Sequence, residues 1–369
     1  MRFRHILAGA VAGACVAFLI AYSIPAVASG SPAGNTASAR QNFPHMSHVF
    51  VIMMENSAYA DLLDPTNTHT TFIQSLASKY GLETDYSGVT HVSLPNYLAA
   101  TSGSTWGSNS DDVNQAPLLN HQNIVDQFEQ AGVSWKAYME DIPAAGDLSA
   151  TAANGLYVRK HNPFLLYPDV YTNPARAKNV VPLSQLTTDL SHNTVPSFVW
   201  ITPNQCNNMH GGVYPDCPYA NAPGDTYQQA LWQNGNDFLK TWVTAIMHSK
   251  AWTGHSAIFV TWDEGSFADD APYGPNDTSG CCDSPILPAT PANPATGGGG
   301  DLNGGALYGG GHVPMLVIQR NGVRGVTDNT PTNHYSLLQT IEQNWNLPLL
   351  GNASDTVQVN SLRGLLANH

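Results

Sequence analysis

Five continuous apolar runs, each of strand length, constrain the fold of this chain more than any other feature. They are HVFVIMM (48–54), SWKAYM (134–139), PSFVWITP (196–203), SAIFVTW (256–262) and VPMLVIQ (313–319). Apolar runs without polar alternation fit strands that are buried on both faces, as in a parallel sheet. Helical patterns lie between the runs, so the sequence predicts a doubly wound α/β fold with a mostly parallel sheet and helices on both faces.

Three segments predict helices. TFIQSLASKYG precedes the second run, and two later segments carry apolar residues at helical spacing. The first stripe is Leu231, Phe238, Leu239, Trp242, Val243 and Ile246, and the second is Leu337, Leu338, Ile341 and Trp345. The Gly- and Pro-rich stretch 273–311 is too long for a plain connection, so we expect a functional or mobile loop there. Residues 46–369 are expected to form a single catalytic domain.

The N-terminus predicts export from the cell. A basic start, an apolar stretch and the small residues Ala26-Val27-Ala28 are typical of a signal peptide over residues 1–28, with an uncleaved anchor as the alternative. A Ser/Gly/Ala-rich leader over 29–45 follows. We therefore expect a secreted, extracellular or cell-envelope protein with no stable membrane span after cleavage.

Charge excludes one class of partner. The chain has 14 Lys and Arg against 27 Asp and Glu, a formal net charge of −13. An acidic surface argues against nucleic acid as the main partner, because phosphate backbones are held by Lys and Arg.

Cysteines predict disulfide bonds in an exported chain. Beyond the signal peptide lie Cys206, Cys217, Cys281 and Cys282, for which three connectivities are open. Bonding between the adjacent Cys281 and Cys282 would form a rare, strained ring, so we favour pairing of each with Cys206 or Cys217.

Polar residues follow three of the five apolar runs. Glu55 and Asn56 come after the first, Asn204 to His210 after the third, and Asp263 and Glu264 after the fourth. Ligands of open α/β sheets gather at the carboxyl ends of the strands. Glu55, Asn56, Asp263 and Glu264 supply hard oxygen ligands, so they predict a divalent metal ion (Ca, Mg, Mn or Zn), although turn formation is the commoner role of any one such residue.

Ser93 in THVSLPNYLAATSG stands at a predicted helix start. One interpretation is an N-cap, with Pro95 in the first turn. The other is a nucleophile at a helix N-terminus, where backbone N–H groups favour a bound phosphate. Histidines in polar or Gly-rich settings could add proton transfer or metal binding. They are His91, His161, His210, His312 and His334.

The motifs resemble those of the bacterial phosphoesterase family, in order, over residues 46–353. They are VFVIMMENSAYADLL, THVSLPNYLAATSG, YVRKHNPF, PSFVWITPN followed by NNMHGG, FVTWDEG, GGGHVPMLVI and NHYSLLQTIEQNWNLPLLGNA. This family includes secreted acid phosphatases and phosphatidylcholine-hydrolysing phospholipases C, within the alkaline phosphatase-like superfamily. The resemblance implies an alkaline phosphatase-like fold and a phosphorylated enzyme intermediate.

Residue roles follow from the matching motifs. SLPN is similar to the superfamily's nucleophile motif, which implies Ser93 as nucleophile and Asn96 as a substrate contact. His210 and His334 would contact phosphate or the leaving group, or a second ion, and Lys160 and His161 would line the substrate pocket. The metal ligands would be Glu55, Asn56, Asp263 and Glu264. Family members often carry acidic residues around the MH pair, whereas this chain has Asn208 and Gly211, which argues against a full two-metal site.

The resulting hypothesis is a secreted, metal-dependent phosphoric ester hydrolase with a phosphoserine intermediate, an acid phosphatase-like phosphomonoesterase. Its substrate would be a small phosphate ester or a phospholipid headgroup. The alternatives are a phospholipase C-type phosphodiesterase and a catalytically silent relative that binds ligands at the cell surface. A Ser–His–Asp acyl hydrolase ranks last, because no Gly-x-Ser-x-Gly elbow surrounds Ser93.

Overall fold

The computed structural model describes residues 45–115, 119–213, 217–266, 277–285 and 309–366. The predicted signal peptide, nearly all of the predicted leader and most of the loop predicted over 273–311 lie outside these ranges.

An eight-stranded sheet forms the centre of the fold. Its strands are β1 (Val49–Met54), β2 (Gly81–Glu83), β4 (Trp135–Met139), β7 (Val180–Pro182), β8 (Phe198–Thr202), β9 (Ala257–Trp262), β10 (Met315–Gln319) and β11 (Val326–Asp328). Two small pairs complete the strands, β3 (Tyr86–Ser87) with β12 (Thr332–Asn333) and β5 (Thr151–Ala152) with β6 (Tyr157–Val158).

The sheet is mixed but nearly parallel. Its order is β11-β2-β10-β9-β1-β8-β4-β7, and β10 alone runs opposite to its neighbours. All residues of β1, β8, β9 and β10 are buried, which explains their unbroken apolar sequences. The first strand of the chain lies between β8 and β9, so the later strands pass to either side of it. Such a switch point opens a crevice at the carboxyl ends of the strands.

Nine α-helices occur in the described part of the chain. They are α1 (Tyr59–Leu62), α2 (Thr71–Lys79), α3 (Ser93–Ser102), α4 (Ile124–Ala131), α5 (Pro168–Tyr171), α6 (Pro174–Ala177), α7 (Ser184–His192), α8 (Tyr227–His248) and α9 (His334–Asn344). Short 3₁₀ turns cover Thr68–Thr70, Ala153–Gly155, Arg159–His161, Pro163–Leu166, Gly351–Ser354 and Leu362–Leu365. Among the described residues, none of these helices combines the length and the apolar character that a membrane span requires.

The predicted fold class is confirmed, since all five apolar runs are strands of the sheet and the three predicted helices are α2, α8 and α9. The structure adds the reversed direction of β10, because an apolar run carries no signal for strand direction. It also adds β2, β7 and β11, which have three residues each.

The favoured disulfide pairing is wrong. Cys206 bonds to Cys217, eleven positions along the chain, and Cys281 bonds to its neighbour Cys282. The two pairs belong to different parts of the fold. The Cys217 Sγ lies 3.8 Å from the hydroxyl of Tyr227 at the start of α8. The carbonyls of Cys281 and Cys282 instead accept hydrogen bonds from the Asn333 side chain at the start of α9.

Candidate active site

Register between β1 and β9 brings two of the predicted polar clusters together. Met54 is level with Trp262, so the residues after them leave the sheet side by side. The N–H of Asp263 donates to the Met54 carbonyl at 3.0 Å, and the N–H of Asn56 donates to Asp263 Oδ1 at 3.3 Å. The strand pairing itself therefore places Glu55, Asn56, Asp263 and Glu264 in one crevice.

Ser93 lies in this crevice as the first residue of α3, and its side chain is 2% exposed. The N-cap interpretation is wrong, because Val92 holds the cap position and Ser93 is the first residue of the helix. The Ser93 hydroxyl instead lies 3.0 Å from Glu264 Oε1 and 3.2 Å from Glu55 Oε2, so either carboxylate can accept its single proton in a hydrogen bond. A hydroxyl that faces two carboxylates at a helix start is well placed to lose its proton to one of them.

Three buried carboxylates form a cluster at this point, two of them in contact with the Ser93 hydroxyl. Glu55 and Asp263 are completely buried and Glu264 is nearly so. Burial raises the pKa of Glu55 to about 8, although Lys160 and a hydrogen bond from Tyr97 oppose the rise. Burial, reinforced by the charges of Glu55 and Glu264, raises the pKa of Asp263 well above its ordinary value. This cluster is costly unless a cation compensates it.

The donor set fits a hard divalent cation. All four residues at the two strand ends offer oxygen atoms, which Ca²⁺, Mg²⁺ and Mn²⁺ prefer. Among the described residues, Asn56 Oδ1 and Asp263 Oδ2 are buried without a hydrogen-bond partner, and buried polar atoms in that state require another ligand. A second possible group consists of Glu55, His161 and His210, whose ligand atoms lie within 4.8 Å of one another.

Basic residues form the opposite side of the crevice. His161 Nε2 is 3.1 Å from Glu55 Oε1, and Lys160 Nζ is 3.3 Å from His210 Nε2. Burial, together with the charge of Lys160, lowers the pKa of His210 to about 4 and lowers that of His161 well below its ordinary value. Burial disfavours the Lys160 ammonium, but Asp111 and Glu55 outweigh this effect and raise its pKa. Lys160 is therefore the fixed positive charge of this wall.

Two other predicted contacts occupy different places. Asn96 is fully buried, and its side chain bonds the backbone of Val89, Thr90 and Val92, which leaves it no free group for a substrate. His334 is also fully buried, with Nδ1 at 2.9 Å from the Tyr86 hydroxyl and Nε2 against the Asp263 carbonyl. His334 thus supports the strand end from behind the crevice.

Three further contacts of the site come from His91, which is among the candidate histidines of the sequence analysis, and from Tyr97 and Asp111, which were not predicted from sequence. The Tyr97 hydroxyl donates to Glu55 Oε1 at 2.5 Å, and the His91 ring bonds Glu264 through Nδ1. Tyr97 follows Ser93 by four residues, so helical spacing was a usable signal. The third is Asp111, which joins Lys160 at 2.6 Å from an irregular segment that offers no such pattern.

Comparison with known proteins gives the family. The sequence profile described as the Phosphoesterase family matches residues 64–348, and the chain belongs to this family. An acid phosphatase of Aspergillus fumigatus is 27% identical over 307 residues, which are 82% of this chain and 55% of that protein. The chain spans about half the length of the fungal acid phosphatases it matches.

In two further comparisons, the matched region covers a larger share of the other protein than it does in the fungal acid phosphatases. The phosphatidylinositol-3-phosphatase of Mycobacterium tuberculosis is 28% identical over 357 residues, 96% of this chain and 93% of that protein. Among solved structures, the PsFucS1 sulfatase from Pseudoalteromonas aligns over 88% of this chain and 73% of its own, with 13% identity and a TM-score of 0.53. This structural likeness agrees with the predicted fold class.

Proposed function

We propose that this protein is a metal-dependent phosphoric ester hydrolase that cleaves phosphomonoesters through a phosphoserine on Ser93. The observation that carries the proposal is the Ser93 hydroxyl at the first turn of α3, hydrogen-bonded to Glu264 and Glu55 inside a buried carboxylate cluster. Structural serines at helix starts usually accept a backbone N–H, and this one does not.

Ser93 acts as the nucleophile. Its proton passes to the Glu264 carboxylate, the closer of its two acceptors, and Oγ forms the new bond to phosphorus while the ester bond breaks. The leaving oxygen takes a proton from water and departs as the alcohol. Water then cleaves the phosphoserine and releases inorganic phosphate. The Tyr97 hydroxyl and the His91 ring orient the two carboxylates throughout.

Lys160, His161 and His210 form the wall on which phosphate oxygens bind. Lys160 supplies positive charge, and the lowered pKa values of the two histidines keep their rings neutral near pH 7. The ammonium 3.3 Å from His210 Nε2 disfavours a second cation at Glu55, His161 and His210. We therefore assign this wall to the phosphate, as the resemblance to the family implied.

Glu55, Asn56, Asp263 and Glu264 hold the metal ion. Their oxygens, and the cost of ionising several carboxylates side by side in a buried site, fit a divalent cation, as described above. Such an ion, when bound, stabilises negative charge on the nucleophile and on the transferred phosphoryl group. His334 holds the Asp263 backbone from behind and takes no direct part in this assignment.

Relatives support the monoester as substrate class. The curated relatives named above are an acid phosphatase and a phosphatidylinositol-3-phosphatase, and both names describe removal of a phosphate monoester. A small phosphate ester or a phosphorylated lipid headgroup is the proposed substrate. The disulfides in the described residues support an oxidising, extracellular or envelope location. The phospholipase C-type diesterase remains the alternative, and a silent binding relative is third.

The test is hydrolysis of p-nitrophenyl phosphate and p-nitrophenyl phosphorylcholine by the purified protein, with and without a chelator. We expect turnover of the monoester that the chelator abolishes and added divalent ion restores. Ser93→Ala should lower kcat by about 1,000-fold or more. Ser102→Ala is the matched control, because Ser102 is buried on the same helix and bonds the Leu98 carbonyl.

Thermal unfolding must accompany these assays, so that loss of activity is separated from loss of fold. Full activity of Ser93→Ala would refute the nucleophile assignment. Turnover of the choline diester alone would move the protein to the diesterase class. Absence of turnover with every restored metal would favour the silent relative.

A further inference from the structure

Asp111 accepts hydrogen bonds from two of the donors that would face a phosphate bound next to Ser93. Its Oδ1 accepts the backbone N–H of Leu94 at 3.1 Å, and its Oδ2 accepts from Lys160 Nζ at 2.6 Å. Leu94 follows Ser93 in the first turn of a ten-residue helix, and such N–H groups bind anions. One carboxylate therefore bridges the helix start and the fixed ammonium of the basic wall.

A phosphate and the Asp111 carboxylate compete for these donors. Both are anions, and each makes its strongest hydrogen bonds to the same N–H and ammonium groups. Simultaneous binding would also place two negative charges within a few ångströms of each other in a poorly hydrated crevice, which is unfavourable. Substrate binding thus requires Asp111 to give up one or both contacts.

Asp111 has the freedom to do so, unlike the other carboxylates of the site. Its side chain is 33% exposed, whereas Glu55 and Asp263 are completely buried. It also lies outside the helices and strands, in the irregular segment after α3, next to the exposed Asp112. A change of its rotamer or of this segment would move the carboxylate into water without disturbing the sheet.

We infer that Asp111 is a competing internal anion that lowers the affinity of the site for phosphate. This inference rests on the proposed function and names a residue that determines how tightly substrate and product bind. Inorganic phosphate, the product, binds the same donors as the ester. By displacing it, Asp111 limits product inhibition at the cost of a higher KM.

The experiment compares Asp111→Asn with Asp112→Asn as the matched control, in the full chain. Asparagine keeps the size of the side chain and an acceptor for the Leu94 N–H, but it removes the charge. Binding of inorganic phosphate is measured by calorimetry in the Ser93→Ala background, where no turnover occurs. The Ki of inorganic phosphate against p-nitrophenyl phosphate is measured with Ser93 in place.

We expect Asp111→Asn to tighten phosphate binding and lower the Ki by about tenfold or more, the effect of one competing charge-assisted hydrogen bond. Asp112→Asn should change neither. Lys160→Met should abolish the phosphate binding in both backgrounds. Matching thermal midpoints will show that all variants are folded.

Unchanged or weaker phosphate binding by folded Asp111→Asn would overturn the inference, and weaker binding would make Asp111 a positioning residue for Lys160. The two proposals fail separately. Tighter binding by the variant without any ester hydrolysis by the wild type would support the competing anion and refute the hydrolase.

Discussion

Glu83 gives a prediction in which protonation controls stability. It ends β2, is 1% exposed, and lies level with Asp328 of the neighbouring β11. Burial, reinforced by the charge of Asp328, raises the pKa of Glu83 to about 8 from its ordinary 4.5. Hydrogen bonds to its Oε1 from the N–H groups of Thr84 and Asp85, at 3.1 and 3.4 Å, reduce the rise.

The sign of the pH dependence of stability follows from how many protons the folded and the unfolded states bind. Between pH 4.5 and about 8 the folded protein keeps the Glu83 proton and the unfolded chain loses it. The folded state therefore binds more protons, and the free energy of unfolding falls as the pH rises through this window. The contribution of Glu83 is fully present below pH 4.5 and is lost as the pH approaches 8.

The magnitude of the stability change comes from the difference between the pKa values of Glu83 in the unfolded and folded states. About 3.5 pH units at 1.36 kcal/mol each give an upper limit of about 5 kcal/mol. Rearrangement of the groups around the buried carboxylate lowers the cost of its charge below this limit, so we expect about 2 kcal/mol. Glu83→Gln should match the wild type at pH 4 and be more stable by this amount at pH 8, a rise in Tm of about 5 °C.

The assay is urea unfolding at pH 4, 6 and 8, with Asp328→Asn as a second variant. Differences between variant and wild type cancel the titration of all other groups. Asp328→Asn should weaken the pH dependence without removing it, because burial is the larger cause. A stability difference between Glu83→Gln and wild type that is the same at all three pH values would refute the reasoning.

Two further predictions concern the metal and the packing around α3. Wild-type protein should gain about 2.7 kcal/mol from a divalent ion at 100 times its Kd. Glu264→Gln should lose this gain in Tm measurements, and an equal gain in the variant would contradict the proposed ligand set. Gly103→Ala should cost more than about 2 kcal/mol in urea unfolding, because a Cβ would lie 2.2 Å from the Leu350 carbonyl oxygen. Gly107→Ala is its control, since Gly107 has the same φ of +76° and a Cβ there would have no atom of the described residues within 4 Å. Equal costs would show that backbone strain alone is responsible.

The central strands could be predicted because burial on both faces leaves an apolar run in the sequence. The edge strands could not, since three residues such as Gly81–Glu83 carry no periodic signal. The direction of β10 could not be predicted either, because it depends on a partner strand more than fifty positions away, as in the pairing of Met315 with Thr261.

At the site, the sequence could predict which residues lie together where strand pairing alone determines their positions. Glu55 and Asp263 come together because parallel strands in register end at the same edge. The environment of Ser93 depends on partners 38 and 171 positions away, so its helix start could be predicted and its hydrogen bonds could not. Asp111 was missed for the same reason, since only the fold brings it to Lys160.

The backbone hydrogen bonds of the sheet continue past the last residues of the strands. This limits which parts of the site can evolve towards a new substrate. The N–H groups of Asp263 and Glu55 donate to the carbonyls of Met54 and Asn208, so these amides exchange with water only when the middle of the sheet opens. The reacting groups therefore share the slow motions of the core. Adaptation to a different ester must instead come from the irregular segments at the rim, which can vary without opening the sheet.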